Sequence, residues 1–182
     1  MDTIVEQKKQ LRRIIKLKKS QLSALDCSEK SNLVFSEIEQ MPQFIQSSVV
    51  LAFWSLPDEV CTHQFVAKWR ESKIMLLPVM VGPGLQVRKF TGFDTMSSNN
   101  SFGVSEPLTG EMYNPQLVDF AIIPGVAFDT KGNRIGRGKG FYDRLMPQLS
   151  KATKVGVGYN FQLVDSVPVA EFDIPVDCVI CR

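Results

Sequence analysis

Residues 129–144 read Asp-Thr-Lys-Gly-Asn-Arg-Ile-Gly-Arg-Gly-Lys-Gly-Phe-Tyr-Asp-Arg. Gly136, Gly138 and Gly140 alternate with Ile135, Arg137 and Lys139. Glycine has no Cβ, so such a stretch lets backbone N–H groups approach an anion closely. Arg134, Arg137 and Lys139 add full positive charges, and Asp143 offers a hard oxygen suited to Mg²⁺. A helix opening after Gly140 would place its positive end at the same point. These residue types together suit a nucleoside triphosphate. The stretch is not a Walker A loop, because Asn133 stands five before Gly138 and Gly140 follows Lys139; nor is its G-x-G-x-G spacing a Rossmann fingerprint.

A second concentration of cations lies at the N-terminus. Residues 1–20 carry seven basic and two acidic side chains, a net +5, while residues 21–182 net −3. The formal charge of +2 hides this asymmetry. If both basic stretches face one cleft, the partner is a polyanion such as a triphosphate or a polycarboxylate; if both are solvated, nucleic acid is the rival reading. No aromatics interleave with the N-terminal run, so a broad nucleic-acid face is not expected. Asp58 and Glu59 follow an apolar run, where they cap a turn or, at the C-terminal edge of a parallel sheet, face a ligand. Cys178 and Cys181 are three apart on a terminal strand, so their thiols point to opposite faces and read as ordinary buried cysteines. His63, the only histidine, is expected to be exposed at a helix start and has no assigned role. Phe65 and Trp69 read as core.

The elements that must hold these groups follow from periodicity. Residues 3–22 form an amphipathic helix with Leu11, Ile15 and Leu22 on its apolar stripe, supported by Val5 and Ile14. Asp26 and Glu29 resemble a capping box opening a second helix through Leu33, Val34, Ile38 and Met41 to Pro42. Val49–Phe53, Ile74–Leu77, Phe120–Ile123 and Val155–Tyr159 are short apolar runs of the kind buried on both faces of a sheet. Pro78 stops the second of these. Leu85–Phe90 alternates as a more exposed strand, and Val179–Ile180 is a short last one. A helix carries Phe65, Val66 and Trp69, and another starts at Phe141 and ends early at Pro147. Residues 91–116, rich in Gly, Ser, Asn and Pro, form a long loop and a candidate lid. The expected fold is a three-layer α/β/α, Rossmann-like domain over residues 1–182, with a mostly parallel sheet flanked by helices and the basic helix at the cleft. At 182 residues, 44% of them hydrophobic and 22% charged, such a domain buries roughly 70% of its surface without staples. No apolar signal region or membrane span occurs, so a cytoplasmic protein, a monomer without nucleic-acid or membrane partners, is expected.

The stretch from Asp129 to Arg144 resembles the signature of the 5-formyltetrahydrofolate cyclo-ligase (methenyltetrahydrofolate synthetase) family. Further stretches are similar to family elements in the same order: Lys8-Lys9-Gln10-Leu11-Arg12, Phe53-Trp54-Ser55-Leu56-Pro57-Asp58-Glu59, Pro124–Asp129 and Ile174-Pro175-Val176-Asp177. The resemblance implies an ATP- and Mg²⁺-dependent cyclisation of 5-formyltetrahydrofolate, including polyglutamylated forms, to 5,10-methenyltetrahydrofolate with release of ADP and phosphate. It implies that Lys8, Lys9, Gln10, Leu11 and Arg12 touch ATP, and that Arg134, Ile135, Gly136, Arg137, Gly138, Lys139, Gly140, Phe141 and Tyr142 wrap its phosphates. Arg12, Trp54, Glu59 and the segment Arg137, Gly138, Lys139, Gly140 and Phe141 would face the folate. Arg137, Lys139 and Tyr142 would serve catalysis, although Tyr142 alternatively packs against the loop. Asp143 and Asp177 would hold Mg²⁺. Departures from the family pattern are Lys19 for a frequent arginine, Trp54 for a common aliphatic residue, Phe141 for a frequent tyrosine, and Met80 at a commonly aromatic or basic position. Two alternatives stay open. An isomerase or CoA-transferase-like protein needs a carboxylate base over a small pocket and no ATP, and a folate or nucleotide binder binds without turnover.

Overall fold

The computed structural model describes residues 3–98 and 103–182. Its helices and strands, in chain order, begin with α1 (Ile4–Lys19), α2 (Ala24–Ile38), α3 (Pro42–Gln46), β1 (Val49–Leu51), α4 (His63–Trp69), β2 (Ile74–Val81) and β3 (Gly84–Lys89). They continue with β4 (Met96–Ser97), β5 (Glu106–Pro107), β6 (Met112–Tyr113), β7 (Phe120–Pro124), β8 (Ala127–Phe128), β9 (Arg134–Ile135), α5 (Phe141–Leu145), β10 (Thr153–Gly158) and β11 (Cys178–Cys181). Seven strands form one sheet in the order β11-β10-β7-β1-β2-β3-β6. The strands from β11 to β2 run parallel, whereas β3 and β6 are antiparallel additions. The expected α/β class and mostly parallel sheet are therefore present, with an antiparallel edge.

The apolar runs are buried on both faces because side chains alternate along a strand. Val50, Ala52, Phe120, Ile122 and Val155 pack with Val34, Phe35 and Ile38 of α2, Phe44 of α3, and Phe65 and Val66 of α4. Val49, Leu51, Ala121 and Ile123 pack on the other side with Leu145, Met146 and Leu149. Cys178 lies with the first cluster and Cys181 with the second, so the two thiols diverge as expected. Burial raises both thiols, Cys181 to about 12. A third cluster joins Ile15 and Leu11 of α1 to Ala127 and Ile135 of the β8–β9 hairpin. This contact brings the basic helix onto the glycine-rich segment. Val5 and Ile14 do not share it; Val5 is 75% exposed.

Several local expectations are corrected. The cap of α2 is Ser23, whose hydroxyl accepts from Asp26 N–H while Asp26 accepts from Ser23 N–H. Asp26 is thus the third helical residue of the box and not its cap, and Leu33 faces solvent. Pro42 opens α3, where its missing N–H costs nothing. Pro78 does not stop β2, which runs on to Val81. Pro78 pairs with Val87, and Phe90 N–H donates to Met75 O three pairs earlier along the ladder. Parity therefore turns the Pro78 nitrogen away from β3, toward the side where β1 has ended, and no ladder bond is lost. Residues 91–116 contain the β4–β5 pair and β6, so the segment is not wholly irregular; positions 99–102 of the candidate lid lie outside the described residues. Among the described residues no helix is long and apolar enough to cross a membrane.

The β8–β9 turn depends on Gly132, whose φ of +83° belongs to the left-handed region. A Cβ there would lie 2.2 Å from Val176 O, and Val176 N–H donates to Gly132 O. Replacing Gly132 with alanine is expected to cost roughly 2–3 kcal/mol from strain alone and to lower Tm by about 5–10 °C, read by thermal unfolding.

Candidate active site

Strands β1 and β7 are adjacent and parallel, and the chain beyond their C-terminal ends opens around a cavity of about 340 Å³. This is the place where parallel α/β sheets offer ligands a crevice. One wall is apolar: Phe53, Trp54 and Leu56 follow β1, Pro78 and Met80 belong to β2, and Leu85 to β3. The facing wall is the glycine-rich segment, represented by Arg134, Gly136, Arg137, Lys139, Gly140, Phe141, Tyr142 and Asp143. Glu59, Glu106, Val104, Pro124 and Gly125 complete the lining.

The segment is held at its base. Asp129 is buried, and its carboxylate accepts from Lys131 N–H and Asn133 N–H (both 3.0 Å), Asn133 Nδ2 (2.9 Å) and Val167 N–H (3.0 Å). Burial alone would raise this acid, but the hydrogen bonds outweigh it and hold the acid below its usual value. Asp129 and Asn133 are thus turn anchors. Above them Arg134, only 4% exposed, donates Nη2 to Asp143 Oδ1 at 2.6 Å and Nη1 to Pro124 O at 3.4 Å. Its guanidinium lies 5.8 Å from the Tyr142 ring, and its Nε is buried without a hydrogen-bond partner among the described residues. Gly138 and Gly140 have φ of +96° and +66°, conformations that the intervening turn reserves for glycine. Arg12 Nε donates to Gly136 O at 2.9 Å, and Arg144 Nη2 to Lys139 O at 2.7 Å, so two guanidinium groups fasten the segment from outside. Helix α5 is only five residues long, so the side-chain cations rather than a macrodipole set the charge here.

Arg137 is held over the cavity by acids. Its Nη2 donates to Asp58 Oδ1 at 2.6 Å and Glu59 Oε1 at 3.0 Å, and its Nε to Glu59 Oε1 at 3.1 Å. Lys19 reaches the same Asp58 at 3.3 Å. Burial would raise Asp58, but Lys19 and Arg137 together lower it below the usual aspartate value. Burial, and then the charge of Glu59, pushes the Tyr142 phenol well above its ordinary value. At neutral pH Tyr142 is therefore a hydroxyl donor, not a base. Trp54 is fixed by His63, stacked at 4.0 Å and 17°, and by Phe90 and Phe93 at 5.6 and 5.5 Å. The expectation of an exposed, idle His63 is corrected: it is half-buried, hydrogen-bonds Ser55 O at 3.1 Å, and burial lowers its pKa.

Not every expected site residue reaches the cavity. Lys8 is ion-paired with Asp173, Lys9 is 77% exposed beside Glu6, Gln10 is exposed, and Leu11 packs with Ile15. Of that group Arg12 hydrogen-bonds the glycine-rich segment at Gly136 O, and Leu11 packs in the same cluster as Ile135. Ile135 is in the core, and Gly138 does not line the cavity. Asp177 is not brought to Asp143. It precedes β11 at the N-terminal end of the sheet, where it accepts from Lys154 N–H at 2.7 Å and Nζ at 3.4 Å. Among the described residues no group of three or more His, Cys, Asp or Glu side chains could hold a metal. Asp143 lines the cavity without belonging to a cluster of metal ligands among the described residues, which fits Mg²⁺ carried mainly by substrate phosphates. Phe53, Leu56, Pro78, Leu85, Val104 and Glu106 are lining residues to which the sequence reading gave no site role of their own. Only their place at or beyond strand ends could have marked them.

The sequence profile of the 5-formyltetrahydrofolate cyclo-ligase family matches residues 4–182. The chain belongs to this family of enzymes. It is 29% identical over 178 residues to the 5-formyltetrahydrofolate cyclo-ligase of Haemophilus influenzae, with 94% of this chain and 95% of the relative covered. It is 32% identical over 146 residues to that of Escherichia coli K12, covering 76% and 80%. The solved structure of Aquifex aeolicus 5,10-methenyltetrahydrofolate synthetase superposes with a TM-score of 0.86 at 34% identity, covering 96% of this chain and 89% of the other. A synthetase from Mycoplasma pneumoniae shares the fold with a TM-score of 0.76 at 21% identity, covering 95% and 97%.

The Asp129 anchor predicts the acid behaviour of this cyclo-ligase family member. Its folded-state pKa lies below the ordinary aspartate range, so its contribution to stability is present above that range and disappears as pH falls through the folded value. Asp129→Asn is expected to lose about 2–3 kcal/mol at neutral pH and to flatten the acid limb of the stability curve, measured by urea unfolding between neutral and acid pH.

Proposed function

We propose that the protein converts 5-formyltetrahydrofolate to 5,10-methenyltetrahydrofolate, with ATP consumed to ADP and phosphate and Mg²⁺ accompanying the nucleotide. The observation that carries this reading is that one cavity joins an apolar, aromatic wall to Arg134, Arg137 and Lys139. A flat heterocycle suits the first and phosphate the second. The match of residues 4–182 to the cyclo-ligase family favours this reading over an isomerase. Arg134, Arg137 and Lys139 on one wall together with Asp143 favour turnover over passive binding.

The chemistry is a formyl oxygen made into a leaving group. The oxygen attacks the γ-phosphorus and the bond to ADP breaks; N10 then attacks the activated carbon, phosphate leaves with its electron pair, and N10 gives up its proton to solvent. Phosphoryl transfer asks a protein mainly for position and neutralised charge. Lys139 and Arg137 bind phosphate oxygens, and Arg134 supplies fixed charge from beneath. Arg12 and Arg144 hold the segment in place, and Tyr142 donates its hydroxyl. Trp54 packs against the heterocycle, and Glu59 keeps Arg137 over the cavity. Mg²⁺, with Asp143 as its protein ligand, would neutralise the charge of the nucleotide phosphates.

The deciding experiment follows the near-ultraviolet absorbance of the methenyl product with and without ATP. A rise that requires ATP and is matched by ADP supports the reading, and no rise with ATP binding intact overturns its folate half. Lys139→Ala is expected to raise the KM for ATP on the order of 10- to 100-fold and the folate KM little; equal effects on both would contradict its phosphate role. Asp143→Asn should lower kcat about 100- to 1000-fold and weaken the Mg²⁺ dependence, whereas lost turnover with an unchanged Mg²⁺ titration assigns Asp143 to Arg134 alone.

A further inference from the structure

Three carboxylates line the cavity, and the situation of Glu106 differs from that of Glu59 and Asp143. Glu106 lies on β5, and its Oε1 accepts from Met80 N–H at 2.7 Å. Among the described residues its other oxygen, Oε2, has no hydrogen-bond partner and the side chain forms no ion pair. Strand parity creates this arrangement. Leu76, Pro78 and Met80 turn their backbone groups to the same side of β2. Ala52 N–H donates to Leu76 O, Pro78 has no N–H, and Met80 carries the first free N–H beyond the end of β1. Glu106 takes that N–H. One end of its carboxylate is thereby splinted to the sheet, among Pro78, Met80, Leu85 and Val104, whose side chains donate no hydrogen bond. A carboxylate has about four acceptor sites, and here the protein uses one.

We infer that Glu106 is a specificity-determining residue of this cavity, receiving the paired N–H donors of the substrate heterocycle, its ring N–H and the adjacent exocyclic amino group. The inference rests on the folate reading above and assigns the donor edge of that ring to Glu106, whose Oε2 is open among the described residues, whereas Glu59 is shared between Arg137 and Leu56 N–H. Two parallel N–H groups match the two oxygens of a carboxylate in plane, as in other fork-to-fork pairs. Oε2 then gains a partner, and Oε1 accepts a second bond while keeping that from Met80.

The test is direct calorimetric binding of 5-formyltetrahydrofolate and of its analogue lacking the exocyclic amino group, without ATP. The wild-type protein is expected to prefer the parent compound on the order of 10- to 100-fold. Glu106→Gln should lose that preference while binding the analogue as wild type does, and Glu106→Asp, with the charge withdrawn by one methylene, should reduce it. Glu59→Gln should keep it. Thermal unfolding of each variant separates a lost contact from a lost fold, and if the glutamine variant melts early the aspartate variant decides. A wild-type preference in Glu106→Gln, or in Glu106→Asp where that variant decides, overturns the assignment and leaves the folate reading intact. A wild-type protein that binds ATP but neither folate overturns both.

Discussion

A guanidinium buried as deeply as that of Arg134 must have a counter-charge, and the rest of the site is arranged around that requirement. Asp143 supplies it across the glycine-rich segment, so the two ends of that segment, on β9 and α5, are pinned to each other. Taking two charges out of water costs several kcal/mol per ion, and removing one partner from such a pair typically costs about 3–5 kcal/mol. The pair is therefore poor evidence for stability but strong evidence for placement. It fixes where the intervening residues can go, and with left-handed backbone at Gly138 and Gly140 the remaining freedom is small. What is left over is a positive cradle facing an apolar wall, with little rearrangement needed when an anion arrives.

The electrostatics of that cradle are balanced in advance. Arg137 is parked on Asp58 and Glu59, and Asp58 is itself shared with Lys19. A cation held by two carboxylates is positioned without being sequestered, because exposed ion pairs of this kind are individually weak. Phosphate, with more charge and more acceptors, competes well for the same guanidinium. Trp54 is treated similarly on the opposite wall. His63, Phe90 and Phe93 hold its ring in one plane, so a flat ligand meets a surface already in place.

Much of this was legible in the sequence because the signals were local. The apolar runs at 49–53, 74–77, 120–123 and 155–159 encode strands buried on both faces, and the spacing of Cys178 and Cys181 encodes divergent thiols. The glycine-rich segment announces anion chemistry by residue type alone. Where the reading failed, the deciding interaction was remote or depended on hydrogen-bond parity. Pro78 looked like a stop because its missing N–H could not be placed, yet that nitrogen faces the side where β1 has ended. Asp177 carried the right chemistry at the wrong end of the sheet, where Lys154 takes it up. His63 looked idle because its stacking partner Trp54 is set by tertiary packing. Glu106 gave no signal at all, since its position depends on the backbone N–H of Met80, far away in sequence.

The same reasoning explains how the basic N-terminal helix meets the segment through Leu11, Arg12 and Ile15. A helix presents only one stripe to a surface, and on α1 that stripe is spent on Leu11 and Ile15 against the β8–β9 hairpin. Arg12, adjacent to Leu11, can reach Gly136 O, a contact spanning 124 residues of chain. Lys9 is turned to solvent by the same geometry. Lys8 is taken by Asp173, whose neighbour Ile174 offers its N–H to Asp143 at 3.5 Å. The first and last parts of the chain thus meet behind the glycine-rich segment. Because these contacts are so distant in sequence, the cradle is complete only after the sheet has brought both ends together, and it inherits its rigidity from the whole fold rather than from its own short helix.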